Sequence, residues 1–238
     1  MEQLHTADQQ LRAAIGASLA WYEQVFALHG IPTRCEDGLW SALGEPPRWH
    51  SAAKTLRPDV DPERVVKVLA PFPGCGVADS FGTLDLSGHG FAPLFRATWL
   101  HRPPSADGAL TWPEGWSVLG DPDELAAWNE HQDTTGVLVP ALLEHPDFTF
   151  LVRREGGAMV AGAVLHRTGE VVDLSNTWAA GDEADEVPAM VVCAEGLHPG
   201  LPMVGYSADD DLSHFTDAGF EALGPQVVWV PDRPELTP

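Results

Sequence analysis

Three consecutive β-strands in the second half of the chain constrain the fold more than any other feature of the sequence. β-branched and aromatic residues mark strands over residues 148–154 and 158–167. The segment Glu155-Gly156-Gly157 between them is typical of a hairpin turn. A third apolar run, Val171–Ala179, follows directly. With helical segments before and after these strands, we predict an α/β fold.

Several helices are marked by their start signals. Apolar residues recur at helical spacing over residues 8–29. Asp61-Pro62 and Asp121-Pro122 each combine an N-cap with a first-turn proline, which predicts helices beginning at both places. The remaining predicted elements are helices over residues 184–195 and 211–218 and strands over residues 91–100, 116–119, 203–206 and 227–230. Residues 31–50, rich in Gly, Pro and Trp, are predicted to form either strands or irregular structure.

A segment rich in Pro, Gly and Ser separates two regions of the chain. It is the predicted linker, residues 104–115, between an N-terminal α/β region, 1–103, and a C-terminal domain, 116–238. A Gly-Phe-x-x-Leu sequence begins at both Gly90 and Gly219, and a strand ending in Trp follows each. The match is short, so chance similarity and a repeat of two related α/β halves are both open at this point.

The charge of the chain bears on its partners. Lys and Arg number 13 and Asp and Glu number 35, which gives a formal net charge of −22. Such a field repels nucleic acid and anionic lipid surfaces, so we expect neither nucleic acid nor a membrane as a partner. It attracts a cationic amine, although acidity that only maintains solubility is the alternative interpretation.

Cysteine and histidine spacing argues against a metal site. The three cysteines, Cys35, Cys75 and Cys193, form no Cys-x-x-Cys pair, and none of the ten histidines lies three or four residues from another. We therefore expect no metal. The first residues lack the pattern of a signal peptide, and no apolar run approaches the ~20 residues that span a bilayer. A cytoplasmic protein is the expectation.

A serine motif offers one alternative class. Gly205-Tyr206-Ser207-Ala208-Asp209 partly matches the Gly-x-Ser-x-Gly turn of hydrolases, but Asp209 replaces the last glycine. We interpret Ser207 and Asp209 as helix caps instead.

The order of elements over residues 116–231 resembles the GNAT superfamily of N-acyltransferases. The residues that carry the resemblance are Gly162, the strand Val171–Asn176 and the segment from His214 to Gly219-Phe220. The resemblance implies a mixed sheet flanked by helices. It also implies transfer of an acyl group from a thioester, either acyl-CoA or an acyl carrier, to a small-molecule amine.

The resemblance also assigns a site. In GNAT proteins the strand that matches residues 171–179 splays from its neighbour and receives the thioester, and the next loop holds a pyrophosphate. The residues that it assigns to cofactor binding are Thr177, Trp178, Ala179 and Gly181, and those that it assigns to catalysis are Asn176, Tyr206 and His214. Asn176 also draws attention by itself, because an amide late in an apolar strand needs hydrogen-bond partners, which either a substrate or a loop can provide.

The chain departs from the GNAT pattern at two places. Residues 180–186 contain one glycine and four carboxylates but no Arg or Gln, and such a loop would repel a pyrophosphate. Phe215 stands where a proton-donating tyrosine is frequent, and either Tyr206 or His214 could replace it. Two functions therefore follow: an acyltransferase, or a non-catalytic protein of the same fold that binds a small molecule or a protein.

Overall fold

The computed structural model describes residues 2–105 and 111–232. Its helices are α1 (Glu2–Leu28), α2 (Pro62–Leu69), α3 (Pro122–Gln132), α4 (Val187–Leu197) and α5 (Leu212–Asp217). Its strands are β1 (Thr33–Glu36), β2 (Leu39–Ala42), β3 (Ala53–Thr55), β4 (Val77–Asp79), β5 (Phe91–Arg102), β6 (Trp116–Leu119), β7 (Phe148–Glu155), β8 (Ala158–Thr168), β9 (Val171–Ala179), β10 (Met203–Ala208) and β11 (Glu221–Pro231). The predicted α/β class is confirmed.

Two compact units make up the chain. The first consists of Met1–Trp21 and Trp99–Leu223, and the second of Tyr22–Thr98 and Gly224–Pro238. The boundaries fall inside α1, β5 and β11, so these three elements contribute residues to both units. The predicted linker includes residues 106–110, which lie outside the described residues, and the division into 1–103 and 116–238 stays a prediction.

The first unit is a mixed sheet in the order β6-β7-β8-β9-β10-β5. Strands β6 to β9 pair antiparallel, and the predicted hairpin is the β7–β8 pair. β10 pairs parallel with β9, and α4 forms the crossover between them. The core of this unit includes the buried residues Leu151, Leu165, Leu174, Val187, Met190, Met203, Phe215 and Phe220.

The second unit has the strand order β1-β2-β3-β4-β11. β1, β2 and β3 pair antiparallel, β3 pairs parallel with β4 through α2, and β11 pairs antiparallel with β4. Its core includes the buried residues Leu39, Ala53, Val65, Leu69, Val77, Leu86, Val227 and Trp229. Each unit thus joins a parallel strand pair through one helix and places an antiparallel hairpin beside it. This shared order favours the interpretation of two related halves.

The helix starts follow the sequence signals in the two clearest cases. The side chain of Asp61 accepts a hydrogen bond from the Glu63 N–H, and that of Asp121 from the Asp123 N–H. The prediction that Ser207 and Asp209 cap a helix is wrong. Here the chain forms a 3₁₀ turn over Asp209–Asp211 before α5, and neither of these helical segments has a side-chain cap at its start.

One ion pair joins three elements of the first unit. Arg102 of β5 pairs with Glu195 of α4, and its Nε donates to the Ala218 carbonyl after α5 at 2.9 Å. Gly219 then turns the chain into β11 with a φ of 89°. A Cβ at Gly219 would lie 3.3 Å from the Arg102 Nε, so the guanidinium packs closely against the glycine.

Within the described residues, no helix combines the length and the apolar character that crossing a membrane requires.

Candidate functional site

A cleft opens in the first unit where the parallel strands β9 and β10 diverge. Their pairing consists of Val172 with Met203 and Asp173 with Val204. At Gly205 the strands are still in contact, since a Cβ there would lie 2.8 Å from the Leu174 carbonyl oxygen. Beyond this point lies a cleft of about 300 Å³. The residues that line it are Gln132, Leu174, Ser175, Asn176, Thr177, Glu183, Tyr206, Ser207, Ala208, Asp211 and Phe215.

A β-bulge lies on the β9 side of the cleft. The ladder between β8 and β9 shifts its register between Gly162 and Val164, so that one β8 residue faces two β9 residues, Asn176 and Thr177. Asn176 adopts a φ of 49°, in the left-handed region. Asn is one of the few residues other than Gly that tolerate this conformation. The bulge re-aims the main chain of β9 at the point where β10 no longer pairs with it.

Hydrogen bonds hold the bulge in place. The Gln132 side chain, at the end of α3, donates from Nε2 to the carbonyl of Thr177. The amide of Asn176 donates from Nδ2 to the Ser175 Oγ at 3.3 Å. Both the side chain and the main chain of the bulge are thus positioned by neighbouring residues of the first unit. Asn176 itself is part-buried at the cleft wall, as its position in an apolar strand predicts.

β10 supplies the opposite wall. The ring of Tyr206 is 43% exposed and packs edge-on against Trp99, with the ring centroids 5.6 Å apart. Ser207 is buried, and its hydroxyl donates to the carbonyl of Ala208 at 3.2 Å. A serine nucleophile needs a neighbouring base, and this hydrogen bond provides none, so the hydrolase alternative gains no support.

The cleft is acidic. Two carboxylates, Glu183 and Asp211, line it, and no Lys or Arg is among its described lining residues. The local charge therefore favours a cationic ligand. Within residues 2–105 and 111–232, no three His, Cys, Asp or Glu side chains are grouped as metal ligands.

Three of the predicted site residues, Asn176, Thr177 and Tyr206, come together at the cleft. The other four lie outside its described lining. Trp178 of β9 is buried, with its ring stacked on His131 and the ring centroids 4.1 Å apart. Ala179 pairs in the β8–β9 ladder, and Gly181 is exposed in the loop that follows. His214 lies on α5, next to Phe215, which does line the cleft.

The sequence analysis did not identify Gln132, Glu183 or Asp211 as site residues. Gln132 is 45 residues from its partner Thr177 in the chain, and no local pattern links them. Glu183 and Asp211 belong to acidic runs whose residues are mostly exposed, and the sequence does not distinguish the two that face the cleft. The available signals were that each follows a strand, where site residues collect in α/β folds, and that the acid run at Asp209–Asp211 could attract a cationic amine.

Comparisons with known proteins agree with this architecture. No model of a protein family matches the sequence, and no curated protein matches it significantly. Solved structures do match. A GCN5-related N-acetyltransferase from Kribbella flavida superposes with a TM-score of 0.64 at 18% identity, over 92% of this chain and 96% of the other. The chain has the GNAT fold.

Two further structures with the same fold are similar over most of their length. A functionally unknown conserved protein from Staphylococcus epidermidis has a TM-score of 0.57 at 11% identity, over 85% of this chain and 95% of its own. A GCN5-related N-acetyltransferase-like protein from Streptococcus suis has a TM-score of 0.50 at 15% identity, over 94% and 98%. At 85% or more of this chain, each of these matches includes residues of both units.

Acyl-CoA is the ligand that the GNAT fold implies, and its pyrophosphate would meet the loop between β9 and α4. Main-chain N–H groups and a helix start can hold such an anion when they are available. Here the carboxylate of Asp182 already accepts the N–H of Ala184 at 3.0 Å. The N–H groups of Asp185 and Glu186 donate to the carbonyls of Asp182 and Glu183. This loop does not fit a pyrophosphate.

Proposed function

We propose that the chain is an acyltransferase that moves an acyl group from a thioester to a small amine in the cleft between β9 and β10. The observation that carries the proposal is the bulge at Asn176 and Thr177, which lies where the two parallel strands diverge. A thioester beside this main chain would have its carbonyl oxygen polarised by backbone N–H groups. Because β9 and β10 have separated at this point, a thioester has room to reach those N–H groups.

The reaction needs few groups from the protein. The neutral amine nitrogen attacks the thioester carbonyl carbon, the C–N bond forms and the C–S bond breaks. The proton lost by the nitrogen ends on the departing thiolate, through water or through a side chain. Tyr206 is the proton donor that we assign, because its ring lines the β10 wall. Phe215 lines the same cleft and cannot supply a proton.

The charge of the cleft indicates the acceptor. Glu183 and Asp211 would raise the local concentration of a cationic amine, and the net charge of −22 would steer it from a distance. The amine loses its proton to water before it attacks. A small polyamine or an amino sugar has the required charge, whereas an acidic acceptor would be repelled.

Amine-dependent release of thiol tests the proposal. The purified chain is incubated with acetyl thioesters and a series of small amines, and the free thiol is measured with a thiol-reactive dye. We expect release only when an amine is present, and we expect Tyr206→Phe to lower kcat by about tenfold or more with little change in KM. Asp8→Asn, an exposed change on α1, is the control variant. Absence of amine-dependent release with every thioester would contradict the proposal.

A non-catalytic role is the second candidate, and Phe215 favours it. This apolar side chain lines the cleft, and it stands at the position where a proton-donating tyrosine is frequent in the GNAT superfamily. In that case a cationic amine would bind in the cleft without any release of thiol. Titration calorimetry with spermidine, in parallel with the thiol assay, separates the two functions.

A further inference from the structure

In the loop between β9 and α4, a carboxylate of the protein accepts a hydrogen bond that a bound anion would need. Its four carboxylates are Asp182, Glu183, Asp185 and Glu186. Asp182 is placed as a bound phosphate oxygen would be, with its Oδ1 3.0 Å from the N–H of Ala184. Since one N–H group donates one strong hydrogen bond, that group is already satisfied by the protein.

The start of α4 has little else to offer a phosphate. The N–H groups of Ala189 and Met190 donate to the Glu186 carbonyl, and Pro188 has no N–H. Val187 is fully buried. The N–H groups in the first turn of α4 are thus either bonded to main-chain carbonyls or buried away from solvent. An anion site needs several free N–H groups that point toward one place.

The neighbouring cation is neutralised as well. Arg153 of β7 reaches this helix start, but it pairs with Glu186 at 2.9 Å and with Glu155 at 2.7 Å. A phosphate that approached Arg153 would have to displace both carboxylates. It would also lie close to the remaining acids of the loop, and like charges at such distances repel strongly.

From these contacts we infer that the thioester donor is a small molecule whose thiol arm carries no phosphate, and that the cleft recognises its acyl group and the uncharged part of its arm. This inference rests on the proposed function. A pantetheine thioester has this chemistry, and CoA adds to it only the nucleotide and the phosphates that the loop rejects. Removing the nucleotide from the donor should therefore change kcat/KM for thiol release only slightly.

Two donors of equal reactivity test the inference. The value of kcat/KM for thiol release is compared between S-acetylpantetheine and acetyl-CoA, at low and at high salt. We expect the pantetheine ester to be used as well as acetyl-CoA or better, with the difference growing at low salt because the acids of the loop are then less screened. A preference for acetyl-CoA of about tenfold or more would overturn the inference.

A binding experiment decides the matter independently of turnover. Adenosine 3′,5′-bisphosphate and inorganic pyrophosphate are titrated into the chain by calorimetry. We expect no saturable binding to the wild-type chain, and measurable pyrophosphate binding to the double variant Asp182→Gly, Glu186→Gln, which frees the N–H of Ala184 and removes one of the two carboxylates that pair with Arg153. Asp217→Asn removes one exposed carboxylate from α5 and should gain nothing.

Saturable binding of either probe to the wild-type chain, at concentrations of about 0.1 mM or less, would overturn the inference. So would a double variant that folds, as judged by circular dichroism, and still fails to bind pyrophosphate. If no thioester releases thiol, the proposed function fails, and these titrations still decide whether the loop excludes phosphate.

Discussion

Gly162 of β8 and Trp178 of β9 are paired across the sheet, and a Cβ at Gly162 would lie 2.5 Å from the indole Nε1 of Trp178. The Nε1 of Trp128 would lie at the same distance, 2.5 Å, from the added Cβ. Two indoles thus occupy the space above the glycine, directly beside the bulge at Asn176. Any side chain at Gly162 must move one of them.

Gly162→Ala should therefore destabilise the chain by about 1–3 kcal/mol, because the added methyl group overpacks a buried site. Urea unfolding followed by tryptophan fluorescence measures the change. Gly16→Ala is the matched control, since Gly16 is exposed on α1 with nothing within 4 Å of the added atom. That change should stabilise the helix by about 0.5–1 kcal/mol. Equal effects of the two changes would contradict the packing explanation.

Substitutions of Asn176 separate the backbone of the bulge from its side chain. Gly adopts the φ of 49° freely, so Asn176→Gly should preserve the bulge, whereas a β-branched valine is strained there by about 1–3 kcal/mol. If backbone groups polarise the thioester, Asn176→Gly keeps thiol release within about tenfold, and Asn176→Val loses more. Steady-state kinetics of both variants provide the measurement. The reverse order would indicate that the side-chain amide performs the chemistry.

The ion pair of Arg102 with Glu195 should be sensitive to removal of either partner. Arg102→Met leaves a largely buried carboxylate unpaired, and we expect a loss of about 3 kcal/mol in the free energy of unfolding. The double variant Arg102→Met, Glu195→Leu should lose less than either single change. For comparison, Arg12→Ala breaks an exposed pair with Asp8 and should cost less than about 0.5 kcal/mol. A double-mutant cycle by urea unfolding tests this, and additive losses would contradict it.

His166 should make stability depend on pH. Burial lowers the pKa of His166 to about 4; Asp147 opposes this shift and His145 adds to it. Between about pH 6.5 and pH 4 the unfolded chain therefore binds a proton at His166 while the folded chain does not. The contribution of His166 to the free energy of unfolding is thus fully present above about pH 6.5. Stability should fall from about pH 6.5 to 4, by up to roughly 3 kcal/mol for this residue.

His166→Phe keeps the ring that stacks on Phe148, where the ring centroids are 4.3 Å apart, and removes the titration. Urea unfolding of both proteins at pH 7 and pH 5 should show a smaller pH effect in the variant. An identical dependence in the two proteins would show that other groups dominate the effect, such as the part-buried His50, whose pKa desolvation also lowers to about 4.

Local patterns predicted the regular elements well. The third strand of the meander, Val171–Ala179, matches β9 at both ends, and the strand at Trp116–Leu119 matches β6. These segments succeed because alternation and turn residues act over neighbouring positions. The last strand was underestimated as residues 227–230, because Gly224 and Pro225 suggest a break, although β11 spans Glu221–Pro231.

The site was only partly accessible to such reasoning. Asn176 stood out because an amide interrupts an apolar strand, but its bulge depends on the register with β8, which no local sequence specifies. Gln132 reaches Thr177 from another helix, so its role arises from tertiary packing alone. The acidic loop, in contrast, could be identified from composition, because its charge does not depend on the fold.

The pairing of β4 with β11 has a consequence for biosynthesis. Val77–Asp79 pairs with residues 227–229, and the whole of the polypeptide from Trp99 to Leu223 lies between them. On the ribosome, the edge of β4 that pairs with β11 therefore stays unpaired until nearly 150 further residues have been added (227 − 79 = 148). During that interval an exposed strand edge is open to non-native pairing. Nascent chains halted before residue 221 should accordingly depend on chaperones more than the full-length product does.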